Sequence, residues 1–397
     1  MTDDEQIDIL ITKGVETILP SPDFLMKGLS FGQKLTIYCG FDPTAPTLHI
    51  GHTIQLRKLR HFQDLGHRVI FLIGDFTARI GDPTDKTATR KQLSIKEIKT
   101  NLKLYKKQAG KFIRFSGRNP ATIKFNSLWL GKLKFSDIIE LASHLTVDQM
   151  LKRDMFVRRG EEGKPIYLHE FFYPLMQGYD SVAMGVDGEV GGSDQLFNML
   201  TGRTLLKQIK NKEKFVLTTK LLEDSSGVKM GKSEGNMVSL LDTPADMYGK
   251  IMSWTDGLIV PGFELCTDYT PSQVVTLKKE LDSGVNPRDI KMRLAYEITK
   301  LCTTEGEANK AQEMFVTAFQ KKEIPQNIVE VVNTSQTLGE LLIQRKIVDS
   351  NSDLRRLTDS GAVSHLEPNK TLSFEETKKV PDKGTYKIGK NRFIKIV

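Results

Sequence analysis

The chain has little of what builds disulfide frameworks, zinc sites or membrane spans. Its 397 residues include three cysteines, Cys39, Cys266 and Cys302, too few and too scattered for a disulfide framework or structural zinc. No segment approaches the ~18 apolar residues a membrane span needs. The acidic N-terminus, Met1-Thr2-Asp3-Asp4-Glu5, is not followed by an apolar run of signal-peptide length. A cytoplasmic protein without membrane association is expected. There is also no carboxylate cluster dedicated to a metal ion, so neither a resident metal nor a protein-held cofactor is expected. What remains is a globular composition, 27% charged and 39% hydrophobic, in a chain long enough for two or three domains. The formal charge of +8 suits a polyanionic partner such as RNA, or simply aids solubility.

Two short peptides far apart carry most of the chemistry. His49-Ile50-Gly51-His52 follows an apolar stretch, Leu35 to Phe41, that reads as a buried strand. It precedes Leu56, Leu59, Phe62 and Leu65, spaced as on a helix. The histidines therefore sit at a helix start, where unpaired N–H groups and about half a positive charge attract phosphate. Gly51 would keep the backbone bare where an anion or nucleobase approaches. His49 and His52, three apart, point the same way and can donate to phosphate oxygens. The second peptide, Lys229-Met230-Gly231-Lys232-Ser233, lies in a Gly- and Ser-rich stretch that reads as a surface loop. Such a loop can be a solvated basic turn, or it can close over a triphosphate and neutralise the charge that builds as pyrophosphate departs.

The pair resembles the HIGH and KMSKS signatures of class I aminoacyl-tRNA synthetases, with Gly231 where serine is usual. Elsewhere, apolar strand candidates at Leu35–Phe41, Val69–Ile73, Ala121–Phe125 and Phe215–Leu217 alternate with helical stretches. This is the pattern of an α/β, Rossmann-like, doubly wound parallel sheet with its site at the carboxyl ends of the strands. The expected catalytic domain is 1–242. It is interrupted at about 126–165 by a helical insertion that, in the synthetases it resembles, forms a dimer interface, which implies a homodimer.

A helical domain follows over 243–325, with Asn286 and Pro287 as N-cap and first residue of one helix. The resemblance implies anticodon binding there. A linker, 326–336, leads to a small α+β module, 337–397, that resembles the alpha-L RNA-binding module. Arg355, Arg356, Lys390 and Arg392 are its candidate RNA contacts.

Tyr173, Gln177 and Asp180 are spaced to share one face of an otherwise apolar helix. Buried polar groups need partners, found either in a structural network within the core or in a ligand. Together with Tyr38-Cys39-Gly40-Phe41-Asp42-Pro43-Thr44, this stripe resembles the bacterial-type tyrosyl-tRNA synthetases, and the likeness runs from about Leu35 to the C-terminus. The resemblance implies that Tyr38 and Asp180 bind the phenol of L-tyrosine, and that Asp82, Tyr173 and Gln177 hold its ammonium group.

It also implies an ATP site made by Gly40, Asp42, His49, Gly51, His52, Gly192, Asp194, Gln195, Lys229 and Lys232. Lys86 and Arg90 would reach the pyrophosphate, and Ser233 would join the catalytic set of His49, His52, Lys229 and Lys232. ATP would enter with Mg²⁺ as a substrate, and tRNA(Tyr) would accept the product. Glu189 stands where many relatives carry glutamine. A tryptophanyl-type enzyme, a small-molecule nucleotidyltransferase and an RNA-binding paralogue without catalysis are the competing possibilities.

Overall fold

The computed structural model describes residues 3–30, 32–84, 93–223, 237–317, 328–332, 336–345, 347–366, 370–389 and 392–397. They fall into two compact units, 1–309 and 310–397.

The first unit is built on six strands: β1 (Val15–Leu19), β2 (Thr36–Phe41), β3 (Arg68–Ile73), β4 (Thr122–Phe125), β5 (Gly188–Gly192) and β6 (Phe215–Thr219). Their spatial order is β1-β6-β5-β2-β3-β4. Strands β2 to β6 run parallel, and β1 closes one edge antiparallel to β6. Four of the six were legible as apolar runs. Residues such as Ile37, Val69, Phe71 and Val216 are buried, and a parallel strand covered on both faces reads as nearly continuous apolar sequence.

The strand β5 was not legible. Gly188-Glu189-Val190-Gly191-Gly192 looks like a turn, yet every residue in it is buried. The glycines make room for neighbours: a Cβ on Gly188 would lie 2.0 Å from the Phe215 ring, and one on Gly191 2.7 Å from Met199 Sδ.

Strand order reverses between β2 and β5, the position at which an open parallel sheet leaves a crevice beyond its carboxyl ends. Three helices frame it. Helix α1 (Ile50–Asp64) leaves β2, α2 (Leu168–Met184) precedes β5, and α3 (Leu196–Lys210) joins β5 to β6. Helix α1 packs on β2, β3 and β5, while α2 lies along α3.

Between β4 and α2 come short helices at Ser127–Leu130, Phe135–Ala142, Val147–Leu151 and Asp154–Glu161. The last is tied to α2 by a two-pronged pair: Arg159 Nη1 and Nη2 donate to Glu170 Oε1 and Oε2 at 2.7 and 3.0 Å. Both side chains are buried. Removing one partner leaves an uncompensated buried charge, so Arg159→Met is expected to cost about 3–5 kcal/mol, read as a lower urea midpoint. An unchanged midpoint would show that the pair contributes nothing.

Beyond residue 243 the unit is helical, with Pro244–Met252, Ile259–Cys266, Pro271–Asp282 and Pro287–Cys302. Thr243, Thr270 and Asn286 cap three of them, each followed by a proline whose missing N–H costs nothing at a helix start. Arg57 of α1 ties that helix to this region through Asp268 at 2.6 Å.

The second unit has a sheet in the order β7-β11-β10-β8-β9, from β7 (Val329–Val331), β8 (Val363–His365), β9 (Lys370–Thr371), β10 (Gly384–Ile388) and β11 (Arg392–Ile396). Helices Leu338–Gln344 and Asn351–Asp359 add Leu338, Leu341, Leu342 and Leu354 to a core with Val363, Tyr386, Ile388 and Ile394. The stretch read as linker contains β7, which pairs in parallel with β11. Three residues are too few for a strand pattern to register in sequence. Among the described residues, no helix is long and apolar enough to cross a membrane.

Candidate active site

A crevice of about 1340 Å³ opens at the carboxyl ends of β2 and β5. Its walls include Tyr38, Gly40, Asp42, His49, Gly51, His52, Asp82, Tyr173, Gln177, Asp180, Gly192, Asp194 and Gln195. Candidates drawn from five separate stretches of sequence thus face one space. Lys86, Arg90, Lys229, Lys232 and Ser233 lie outside the described residues. The described flanks of the lysine segment, Leu222 and Met237, do line the crevice. Just beyond, Ile50 N–H donates to Val238 O at 3.0 Å and Leu240 N–H to Leu48 O at 2.9 Å, so the chain returns directly beside the histidines.

At one end the two imidazoles cap α1. Gly51 N–H donates to His49 Nδ1 at 3.2 Å, and His49 N–H to His52 Nδ1 at 3.0 Å. Burial pushes the His49 pKa down to about 4, and burial followed by the His49 charge holds His52 well below its ordinary value. Both are therefore neutral at pH 7. A neutral imidazole with Nδ1 accepting must carry its proton on Nε2, so each ring is a donor at its outer nitrogen. Gly51 has a local reason beyond the one read from sequence, because a Cβ there would meet His49 Cε1 and Nδ1 at 3.0 Å.

Above β2, Asp42 accepts from Thr77 Oγ1 at 2.7 Å and from Tyr173 Oη at 2.9 Å. Gly74 makes room for this pair: a Cβ would fall 1.9 Å from Asp42 Oδ1 and 2.4 Å from Thr77 Oγ1, so a side chain there would displace them. Asp82 accepts from Thr84 N and Oγ1 at 3.0 and 2.6 Å and from Gln195 Nε2 at 2.7 Å.

At the far end Asp180 and Tyr38 are 2% and 1% exposed. Asp180 accepts from Trp129 Nε1 at 2.7 Å and Asn126 Nδ2 at 3.3 Å. Burial raises its pKa well above the usual carboxylate range, against the pull of those two donors. Tyr38 Oη lies 2.9 Å from Ser181 Oγ. Behind it, Lys214 donates to Ser181 Oγ at 2.7 Å and pairs with Glu189 Oε2. Burial lowers the Lys214 pKa, while Glu189 opposes that shift. Gln177 Nε2 donates to Glu189 Oε1 at 3.2 Å.

The family model for class I tRNA synthetases (W and Y) matches residues 30–320. The chain is 44% identical to a tyrosine–tRNA ligase of Carboxydothermus hydrogenoformans, over 98% of this chain and 97% of that one. The tyrosine–tRNA ligase of Thermotoga maritima is 41% identical, over 100% and 98%. The chain belongs to the tyrosine–tRNA ligase family. It is accordingly a class I aminoacyl-tRNA synthetase by descent, as the paired signatures implied. A crystal structure of a C-terminally truncated mitochondrial tyrosyl-tRNA synthetase of Aspergillus nidulans superposes with a TM-score of 0.65 at 24% identity, covering 80% of this chain and 94% of that one; at that identity the likeness concerns the fold.

For this family member the structure adds residues that sequence patterns did not single out. Thr77, Asn126 and Trp129 bind the crevice carboxylates, and Arg158 and Lys220 line the crevice. They come from four stretches with no shared spacing, so only the fold brings them together. Among the RNA candidates, Arg355 stacks 5.6 Å over the Phe374 ring. Arg356 is highly exposed and pairs with Asp353, and Arg392 donates to Ile347 O. Lys390 lies outside the described residues.

The buried histidines make stability depend on pH. Burial also pushes His61 down to about 4 and lowers His67. Unfolded, each takes a proton near its ordinary 6.5, so the unfolded chain binds more protons between that value and about 4. Their stabilisation is complete above the upper limit and is lost as pH falls through the window. Asp180, raised instead of lowered, acts in the opposite sense, one carboxyl against four imidazoles. Urea midpoints should therefore fall from pH 7.5 to 4.5; a flat profile would refute neutral buried imidazoles.

Proposed function

We propose that this crevice performs the tyrosine–tRNA ligase reaction of its family with the substrates laid end to end. The tyrosine carboxylate attacks the α-phosphate of ATP in line, giving tyrosyl-adenylate and pyrophosphate. A terminal hydroxyl of tRNA(Tyr) then takes the tyrosyl group. The chain supplies no nucleophile and acts through position and electrostatics. The observation that carries this is a single cavity with two neutral imidazole donors at one end and the buried Tyr38–Asp180 pair at the other.

Hydrogen-bond direction supports each assignment. Tyr173 gives its proton to Asp42, and Gln177 gives its amide N–H to Glu189, so Tyr173 Oη and Gln177 Oε1 remain as acceptors. Two neutral acceptors beside the Asp82 carboxylate suit an ammonium group. Asp180 and Tyr38 suit a phenolic hydroxyl, which both donates and accepts. The Nε2–H groups of His49 and His52 would contact phosphate, and Gly192, Asp194 and Gln195 the ribose side of the adenylate. Lys229, Lys232 and Ser233, with Lys86 and Arg90, would meet the charge on the departing pyrophosphate. Magnesium would arrive with ATP as part of the substrate.

Exposed Phe135, Ile139 and Val147, between 56% and 76% accessible, favour a homodimer through the inserted segment. The helical segment and the C-terminal unit would hold tRNA(Tyr), largely by shape, in the cytoplasm.

Replacing Asp180 with Asn tests the assignment. The amide would set an N–H₂ against the donor Asn126 Nδ2 and leave one buried donor unsatisfied, at about 1–3 kcal/mol. In tyrosine-dependent ATP–pyrophosphate exchange, kcat/KM for tyrosine should fall on the order of 10- to 100-fold with the ATP KM within about twofold. Equal losses for both substrates would contradict the assignment.

A further inference from the structure

We infer that Lys214 is a positioning residue for the amino-acid pocket: it keeps Glu189 an acceptor, and Glu189 in turn holds the Gln177 amide with its carbonyl oxygen toward the substrate ammonium. This rests on the tyrosine assignment above.

Lys214 stands just before β6, fully buried at 0% exposure, and is not part of the crevice lining. Two glycines admit its ammonium between α2 and α3. A Cβ on Gly202 would lie 2.9 Å from Lys214 Nζ and 2.9 Å from Ser181 Oγ, and one on Gly178 3.1 Å from Gly202 N. An ammonium so enclosed can only donate, and its donations go to Ser181 Oγ and Glu189 Oε2. The other Glu189 oxygen, Oε1, accepts from Gln177 Nε2 at 3.2 Å. An ionised carboxylate cannot donate, so it fixes which end of the Gln177 amide faces it.

The carbonyl end is thereby left for the crevice, the orientation an ammonium requires. A protonated Glu189 could donate to Gln177 Oε1 and turn the amide, setting an N–H₂ against the substrate cation. A second branch reaches the ring end. Ser181 accepts from Lys214, so its own hydrogen is available to Tyr38 Oη, 2.9 Å away, leaving the phenol proton of Tyr38 for another acceptor. The charged and titratable groups around the ammonium are Glu189 on β5, Asp180 on α2, Arg203 on α3 and Tyr38 on β2, whose ring centroid is 5.6 Å from Nζ.

The test uses the full-length protein in tyrosine-dependent ATP–pyrophosphate exchange at neutral pH. Lys214→Gln should raise the tyrosine KM on the order of 10- to 100-fold, with the ATP KM within about twofold. Without the lysine donor on Oε2, nothing holds Glu189 as the acceptor for Gln177 Nε2. The charge-free double variant Lys214→Gln/Glu189→Gln restores an acceptor for Gln177 Nε2 and should recover most of the tyrosine KM.

A purely structural lysine would lower Tm while leaving the two KM values unchanged or moving them together, and that result overturns the inference. If Lys214→Gln does not fold, Lys214→Met/Glu189→Leu decides: an apolar pair of similar bulk keeps the fold but strips Gln177 of its acceptor. A wild-type tyrosine KM in that variant overturns the inference equally. Absence of tyrosine-dependent exchange in the wild type would instead overturn the tyrosine assignment itself.

Discussion

Replacing His49 with Asn is expected to lower kcat for tyrosine-dependent ATP–pyrophosphate exchange on the order of 10²-fold, the scale of losing one preorganised donor to a developing anion. Tm and the tyrosine KM should stay near wild type. The variant separates two roles that one side chain combines. As N-cap of α1, His49 accepts from Gly51 N–H through Nδ1. An Asn side-chain oxygen does the same at a helix start, so the cap survives. What Asn lacks is the second nitrogen carrying a proton toward the crevice. Its backbone N–H still donates to His52 Nδ1, so the second imidazole keeps its orientation. If kcat changed less than about threefold, the phosphate-facing role would be wrong; a large drop in Tm would mean that the cap had been lost instead.

Removing residues 318–397 is expected to leave exchange within about twofold of the full chain and to lower tRNA charging on the order of 10²-fold or more, the usual loss when one of two linked binding modules is removed. The two effects should separate because the second unit carries its own core of Leu338, Leu342, Leu354, Ile388 and Ile394. Every residue named on the crevice belongs to the first unit. The cut precedes β7, since that strand pairs with β11 and would be stranded by a cut at residue 336. Undiminished charging by the truncated chain would remove the RNA-binding role from residues 318–397.

How much of this was legible in the sequence depended on distance along the chain. His49 and His52 could be placed at a helix start because the cue is local: an apolar strand, a turn and a helical period in succession. The Tyr173, Gln177 and Asp180 stripe was legible because 3.6-residue spacing turns sequence into a face. In contrast β5 was hidden by its glycines, present to spare Phe215 and Met199, which lie outside the strand. The partners of Asp180, Asn126 and Trp129, precede it by more than fifty positions, with no periodicity linking them.

Glu189 drew notice as a departure from the family pattern, but its counter-ion could not be found by spacing. Lys214 becomes its neighbour only because β5 and β6 pair in parallel, Glu189 against Val216 and Gly188 against Phe215. Gly74 shows the same limit. Its need for a bare Cα comes from Asp42, which reaches it across the sheet.

The most direct test of the central claim, one crevice gripping an adenine nucleotide and a hydroxylated aromatic amino acid, is ATP–pyrophosphate exchange measured with each of the twenty amino acids in turn. The Tyr38–Asp180 end predicts strong exchange with tyrosine alone, and with phenylalanine only a trace. Exchange driven equally well by tryptophan or phenylalanine, or none with tyrosine, would contradict it.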